Sequence, residues 1–385
     1  MRVLHLGKFY PPFMGGMEIF LADLLPALQT QDITAAALVH DEQPRRGGQL
    51  PTPGAATPIY RAPCYGRLLY APVSPAFPLW LARAIREFRP DLLHLHLPNT
   101  SAFWALAIPA ARRLPWVIHW HADVVATPLE RGLKLAYHFY RPLEQALLAT
   151  SRAIIVTSPP YLEASAALTR WRDRCQVIPL GLDPNRIPDP DQSALARANA
   201  AWGDAGLRVL AIGRLTPYKG HEVLIRAAIE MKDTRMLIVG SGEQQPGLEA
   251  LIQALGLADR VKLRGAQSAA DLIALLASCD VLCLSSLNRA EAFGVVLMEA
   301  MRFAKPVIVS DIPGSGTGWV VREAKHGLLA APGHPAILAA ALRELQRDPV
   351  WRQSLGQAGA IALQERFGIA SVAAAVAKLY RSVTP

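Results

Sequence analysis

The 385-residue chain has only four cysteines, Cys64, Cys175, Cys279 and Cys283. They are too few and too scattered for a disulfide framework. Cys279 and Cys283 lie four apart, but the other two are not paired at metal-ligand spacing. They read as reduced, buried thiols of a cytosolic protein. Long apolar runs are also missing. The best, around Phe103–Ala111, stops at Arg112-Arg113, short of membrane-spanning length. Met1–Gly7 lacks the extended apolar stretch of a secretory signal and reads as a short strand closed by glycine. The dinucleotide fingerprint Gly-x-Gly-x-x-Gly is absent too. Gly15-Gly16 is a bare pair, and Gly240-Ser241-Gly242 is followed by Gln245 where a third glycine belongs. Low charge, 18%, against 51% hydrophobic residues excludes a disordered chain.

What is present is length, basicity and alternation. The length points to two domains. The net charge is +9, with 18 Lys and Arg against 12 Asp and Glu in residues 1–180 and 22 against 19 beyond. Such an excess attracts an anionic ligand, nucleic acid or an anionic membrane, or is a generic basic surface. Short apolar runs alternate with amphipathic stretches, the pattern of parallel strands with crossover helices. Strands are expected at Val3–Leu6, Ile33–Val39, Leu92–Leu97, Trp116–Trp120, Ala153–Thr157 and Gln176–Pro179. Helices are expected near Glu18–Leu28, Leu79–Arg89, Thr100–Arg112 and Leu129–Leu148, with Gln43–Pro63 a loop holding one short strand at best. Gly181, Pro184, Pro188 and Pro190 then crowd together and predict a domain boundary. The alternation restarts at Arg208–Ile212 and runs to Val307–Ser310, followed by a helical tail from Pro335. The expected division is 1–180, a linker at 181–206, a second domain at 207–368 and a final helix at 369–385.

Ligands of doubly wound domains bind at the carboxyl ends of strands. Arg214 and Lys219 follow one such end, on a turn opening a helix at Gly220, and suit a phosphate or a solvated loop equally. His94 and His96, and His119 and His121, share strand faces and could chelate metal, but no third ligand cluster is evident. A single exposed His121 beside Asp123 is the preferred reading. Asp189-Pro190-Asp191 reads as a solvated turn. Glu291 and Glu299 are eight apart, a little over two helical turns. They could be acid and base, acceptors for ligand hydroxyls, or surface acids.

Taken together, Gly15-Gly16, His121-Ala122-Asp123, Val177–Asp183, Gly213-Arg214 with Lys219-Gly220, Gly240–Glu243 and Glu291-x7-Glu299 resemble retaining glycosyltransferases of the family 4 (group 1) type. That family includes sucrose, glycogen and bacterial mannosyl- and rhamnosyltransferases, and the likeness covers nearly the whole chain. The resemblance implies an α/β fold of GT-B architecture, two Rossmann-like doubly wound domains facing across a deep cleft, with the last helix crossing back to the first domain. It implies that Arg214 and Lys219 hold a diphosphate, that Glu291 lies beside the donor sugar, and that Glu299 bonds the ribose. Phe293, Gly294 and Val295 would turn backbone amides to the donor, His121 would reach the sugar from the other domain, and Gly15, Gly16 and Gly242 would border it. No metal or cofactor is implied; the nucleoside-diphosphate sugar is a substrate. One departure is visible. Many members carry Gly-x-x-Glu after the equivalent of Val307–Ser310, whereas here Ser315-Gly316-Thr317-Gly318-Trp319-Val320 follows, as in bacterial rhamnosyl- and mannosyltransferases of O-antigen assembly. That favours a GDP-sugar donor, mannose first, and a polyprenyl-diphosphate-linked or glycan acceptor. No nucleic-acid partner is expected. The location implied is cytoplasmic, with peripheral contact at the inner membrane face through Tyr65–Tyr70 and Arg131–Arg141. A UDP-sugar enzyme with a small soluble acceptor, a nucleotide-sugar 2-epimerase and a non-catalytic binder are the competing readings.

Overall fold

A computed structural model describes residues 1–13, 15–41, 48–68, 71–124 and 131–384, with backbone alone for Arg131–Lys134 and Ala136. Part of the expected loop Gln43–Pro63, and Leu69 and Tyr70 of the basic stretch, lie outside these residues. The chain forms two compact units, Met1–Gly181 with Ile369–Pro385, and Leu182–Gly368.

The first unit runs β1 (Arg2–Leu6), α1 (Gly16–Gln29), β2 (Thr34–His40), β3 (Ile59–Ala62), a small antiparallel pair β4 (Arg67–Leu68) and β5 (Ala71–Pro72), then α2 (Phe77–Phe88) and β6 (Leu92–Leu97). It continues through α3 (Trp104–Ala107), α4 (Pro109–Arg112), β7 (Trp116–Trp120), α5 (Arg131–Thr150), β8 (Ala153–Val156), α6 (Pro159–Ala164) and β9 (Cys175–Val177). The main sheet is parallel, in the order β3-β2-β1-β6-β7-β8-β9. Its inner strands are buried on both faces, which is why they read as apolar runs, with His94, His96 and His119 the polar residues of β6 and β7. The single helix expected over Thr100–Arg112 is instead a 3₁₀ turn, Thr100–Phe103, followed by α3 and α4. The break falls at Pro109, whose ring and missing N–H disfavour helix at the preceding residue.

The second unit runs α7 (Gln192–Trp202), β10 (Arg208–Ile212), α8 (His221–Ala227), β11 (Arg235–Val239), α9 (Gln245–Ala254), β12 (Val261–Leu263), α10 (Ala269–Ser278) and β13 (Val281–Leu284). It ends with α11 (Val295–Arg302), β14 (Val307–Ser310), α12 (Gly316–Ala324), β15 (Gly327–Ala330), α13 (Pro335–Arg347) and α14 (Pro349–Glu365). Its parallel sheet has the order β12-β11-β10-β13-β14-β15, the Rossmann order, with its switch point between β10 and β13.

The stretch 181–206 is not a linker. Asp183 caps a 3₁₀ turn at Pro184–Arg186, and the Asp191 carboxylate accepts from Ala194 N at 2.7 Å to start α7. Trp202 is sealed in the unit, its indole donating to Ser278 Oγ of α10 at 2.9 Å. Asp189 pairs with Arg302 at 3.0 Å, so the Asp-Pro-Asp turn is a cap and an ion pair. The prolines that imitate a linker mark two turns on the flank of a folded unit. The unit's two ends meet, Leu182 N donating to Phe367 O at 2.9 Å.

The final helix, α15 (Ile369–Val383), packs on α1 in the first unit. Arg381 donates to Gln31 O at 2.6 Å, and Tyr380 is fully buried.

Candidate functional site

In the second unit, four loops at the carboxyl ends of neighbouring strands carry the polar side chains. Lys219 follows β10 and Glu291 follows β13, the two strands flanking the switch point. Their Nζ and Oε2 lie 2.5 Å apart, and the side chains are 12% and 9% exposed. Ser286 Oγ donates to the same carboxylate oxygen at 3.1 Å. Burial works against the Lys219 charge, but Glu291, with Tyr218, outweighs it and leaves the ammonium pKa raised. The site therefore presents a buried, charged ammonium held by one acid.

The surrounding backbone explains how they meet. A Cβ on Gly213 would come 3.1 Å from Lys219 Cε, so the glycine leaves room for the lysine stem. Leu215 N donates to Ser241 O at 2.9 Å, and a Cβ on Gly240 or Gly242 would fall 1.9 Å from Gly213 O or 2.4 Å from Leu215 O. Gly-x-Gly thus seats one loop against another. Arg214 is exposed, with one guanidinium nitrogen 3.3 Å from Tyr218 Oη. His221 reaches Arg214 O at 3.2 Å; burial lowers its pKa to about 4.

The Glu291 loop is pinned from α12. Ser315 Oγ donates to Glu291 O at 2.5 Å and Gly316 N to Ala292 O at 2.8 Å. Gly294 caps α11 at φ 78°, a left-handed conformation that glycine adopts without Cβ strain. Val295 opens the helix and is half-buried. The Phe293 ring is core, 6.5 Å from Trp319 and 6.4 Å from Phe367, so only its backbone is available to a ligand. Glu299 is half-buried one turn further along α11.

In the first unit, Gly15 caps α1 in extended conformation and Gly16 is its first residue. Met14 lies outside the described residues. Arg67 rests over the Phe9 and Phe13 rings, 4.8 and 4.7 Å from their centroids. His121 is not exposed: it is 7% accessible, at the carboxyl end of β7, and burial lowers its pKa to about 3. Nor is Asp123 a free polar hand. Its Oδ1 accepts from Trp120 Nε1 at 2.8 Å and from Ser165 Oγ at 2.7 Å, and its amide donates to Tyr161 Oη. An Asp three residues past a strand looks the same whether it faces a ligand or ties down its own loop.

The two pairs of histidines, expected as separate motifs, form one buried layer with His5. Two triads, His5, His94, His96 and His96, His119, His121, bring their nitrogens within 4.8 Å. Sequence reasoning also missed Ser286, Ser315 and His221. Ser315 stood within the departing Ser-Gly…Trp-Val run, which was the available signal.

The sequence profile described as glycosyl transferases group 1 matches residues 195–361, and a glycosyl transferase 4-like domain matches residues 15–181. The chain is 28% identical to O-antigen chain mannosyltransferase C of Escherichia coli, over 100% of this chain and 99% of that one. It is 29% identical to a D-rhamnosyltransferase of Pseudomonas aeruginosa, covering 93% and 90%. It is 30% identical to phosphatidyl-myo-inositol mannosyltransferase of Mycobacterium leprae, covering 86% and 83%. Among solved structures, sucrose-phosphate synthase from Thermosynechococcus elongatus superposes with a TM-score of 0.79 at 23% identity, over 99% of this chain and 98% of that one, and shares the fold.

Proposed function

The chain belongs to the group 1 glycosyltransferases and is a hexosyltransferase; from that premise we propose that it moves mannose or rhamnose, with retention, from a GDP-sugar to a lipid-linked or polysaccharide acceptor of the cell surface. The observation that carries the reading is the buried Lys219–Glu291 pair at the switch point of the second unit. Loss of a nucleoside diphosphate puts growing charge on the β-phosphate. A cation already desolvated and held in place acts selectively on that charge, because no reorganisation is needed when it appears. Lys219 and Arg214 would hold the diphosphate, and the amides of Phe293, Gly294 and Val295 would face it. Glu291 would accept from a sugar hydroxyl and Glu299 from the ribose, with Gly242 beside them. For His121, Gly15 and Gly16 the family resemblance alone carries the role, His121 toward the donor sugar and the glycines at its border.

In the reaction, the acceptor oxygen bonds to the anomeric carbon on the face from which the diphosphate leaves. The carbon–phosphate oxygen bond breaks, and the acceptor proton passes to the departing phosphate oxygen. This scheme uses no residue as nucleophile and needs neither metal nor cofactor. The mannosyl and rhamnosyl relatives support the sugar, and two of their names, O-antigen chain mannosyltransferase and phosphatidyl-myo-inositol mannosyltransferase, support an acceptor of the envelope.

The test is a thermal-shift screen of GDP, UDP and ADP and their sugars, then product analysis with and without acceptor. GDP at 100 times its Kd should add about 2.7 kcal/mol. A response to UDP alone moves the donor to the UDP class, and a 2-epimer formed without acceptor replaces transfer by epimerisation. No shift with any nucleotide overturns the donor site.

Among the described residues, no helix is long and apolar enough to cross a membrane. Leu135, Phe139 and Leu143 of α5 are 66%, 69% and 45% exposed and fall at i, i+4, i+8, one face of the helix. That apolar stripe, on a chain of net charge +9, suits peripheral contact with an anionic bilayer at the cytoplasmic side of the inner membrane.

A further inference from the structure

His5, His94, His96 and His119 come from β1, β6 and β7, whose register pairs His5 with His94 and His96 with His119, and His121 is the residue after β7. All except His121 are 0% exposed. His5 Nδ1 lies 3.0 Å from His96 Nε2, and His96 Nδ1 lies 2.9 Å from His121 Nε2. The ring centroids are 5.3 and 5.2 Å apart and the rings are within 26° and 21° of parallel. Those centroid distances exceed the N···N distances by about two ring radii, so the rings meet end-on. Tyr380 of α15 closes the inner end. Its Oη is 3.5 Å from His5 Nε2 and hydrogen-bonded to His94 Nδ1.

This geometry suits hydrogen bonds and not a shared ion. Two Zn–N bonds of about 2.0–2.1 Å at a tetrahedral angle hold nitrogens roughly 3.3 Å apart. The spacings here are shorter, and each nitrogen's lone pair lies along the N···N line. In addition, His119 lies face to face with His121, 7° from parallel at 4.2 Å, so its in-plane lone pairs do not point into the chain.

A line of neutral imidazoles joined by N–H···N bonds has one direction: every ring donates the same way. The direction is readable at the far end. His94 Nε2 is sealed without a partner. A sealed N–H is much rarer than a sealed lone pair, because each donor has one hydrogen and nothing else can satisfy it. On that ground His94, unlike His119, whose two nitrogens are both sealed, is assigned its proton on Nδ1, donating to Tyr380 Oη. Tyr380 donates to His5 Nε2, His5 Nδ1–H to His96 Nε2, and His96 Nδ1–H to His121 Nε2. With Nε2 accepting, neutral His121 carries its proton on Nδ1.

We propose that His96 is a positioning residue that holds His121 as the Nδ1–H tautomer, a fixed hydrogen-bond donor, and that His5, Tyr380 and His94 set the direction of the chain behind it. Burial keeps the whole line uncharged, lowering His5 and His121 to about 3 and His94 and His96 well below the usual value. The catalytic consequence rests on the reading that His121 faces the donor sugar; the tautomers themselves do not.

The experiment is long-range ¹H–¹⁵N correlation on the full chain labelled at histidine, peaks being assigned by single substitutions. Wild type should show protonated Nδ1 and bare Nε2 at His5, His94, His96 and His121. An Nε2–H on His121 overturns the proposal with no variant needed. His96→Leu should release His121 to a mixture or to Nε2–H, whereas His119→Leu, which removes an equally buried ring without a hydrogen bond to the chain, should leave the tautomer in place. Identical behaviour of the two variants reduces His96 to packing. His96→Gln, which keeps an N–H donor, should restore the Nδ1–H form and serves if the leucine variant fails to fold. In assays, His96→Leu should lower kcat on the order of 10²-fold with KM nearly unchanged. A tautomer shift without loss of rate leaves the chain intact and removes His121 from catalysis.

Discussion

Lys219 and Glu291 face each other as a nearly buried pair of opposite charges. Removing one partner of such a pair costs about 3–5 kcal/mol, because the other charge is left uncompensated. Glu291→Gln and Lys219→Met are each expected to lower the urea midpoint, and the double variant to lower it by less than the two together. A double-mutant cycle with coupling near zero would show that the pair is not coupled in solution. In kinetics, Lys219→Ala should cut kcat about 10²–10³-fold while the circular dichroism spectrum stays native; near-wild-type turnover would remove the lysine from the diphosphate site. The raised Lys219 pKa has a sign as well. Stability from it is complete below the ordinary lysine value, near 10.5, and is lost as pH rises through the higher folded value. The two acids of this site were legible as a pattern, and their cations too. Their holders were not, because Ser286 and Ser315 are short polar residues whose meaning comes only from what lies across the loop. His121 was expected to be exposed and is buried: sequence shows the alternation of a strand, not that a helix from residue 369 onward covers the same layer.

At the level of elements, strands were easier to read than connections. Strands buried on both faces are nearly continuous apolar runs, here with neutral histidines among them, so β6, β7 and β10 fell where the sequence placed them. The region 181–206 misled because proline spacing signals turns without saying whether they join units or edge one; Trp202 was the overlooked clue, an aromatic too large to leave on a linker. α12 and β15 escaped notice because glycines open both. The α5 helix carries the prediction at this scale. Wild type should sediment with vesicles containing anionic lipid at low salt, and Leu135→Ser with Phe139→Ser should release it without loss of native fold. Failure of wild type to sediment removes the membrane from the account. Sedimentation that high salt abolishes equally in wild type and variant gives the contact to the cations alone.

Across the whole molecule, the unusual quantity is the number of uncharged histidines inside it. Burial holds His5, His121 and His326 at about 3, His40 and His221 at about 4, and His94, His96 and His119 well below the usual value. Unfolded, each titrates near 6.5. Between that value and the folded ones the unfolded chain binds more protons, so their contribution is complete above about pH 6.5 and falls as pH drops. The slope is about 1.4 kcal/mol per pH unit for each group fully in that window. Glu144, which burial raises to about 7, opposes this by one proton. Urea midpoints should therefore fall steeply from pH 7.5 to pH 5.5 with little change in m; a flat midpoint would mean these rings are not buried neutral.

The return of α15 to the first unit fixes an order of events during synthesis. Residues 182–368 are contiguous and can close as soon as they leave the ribosome. The unit that emerges first cannot: its histidine layer lacks Tyr380, which follows Gly181 by 199 residues. At 5–20 residues per second that is roughly 10–40 s. During that interval a sheet face meant for neutral imidazoles stands open to water and protons, and a chaperone would find its target there.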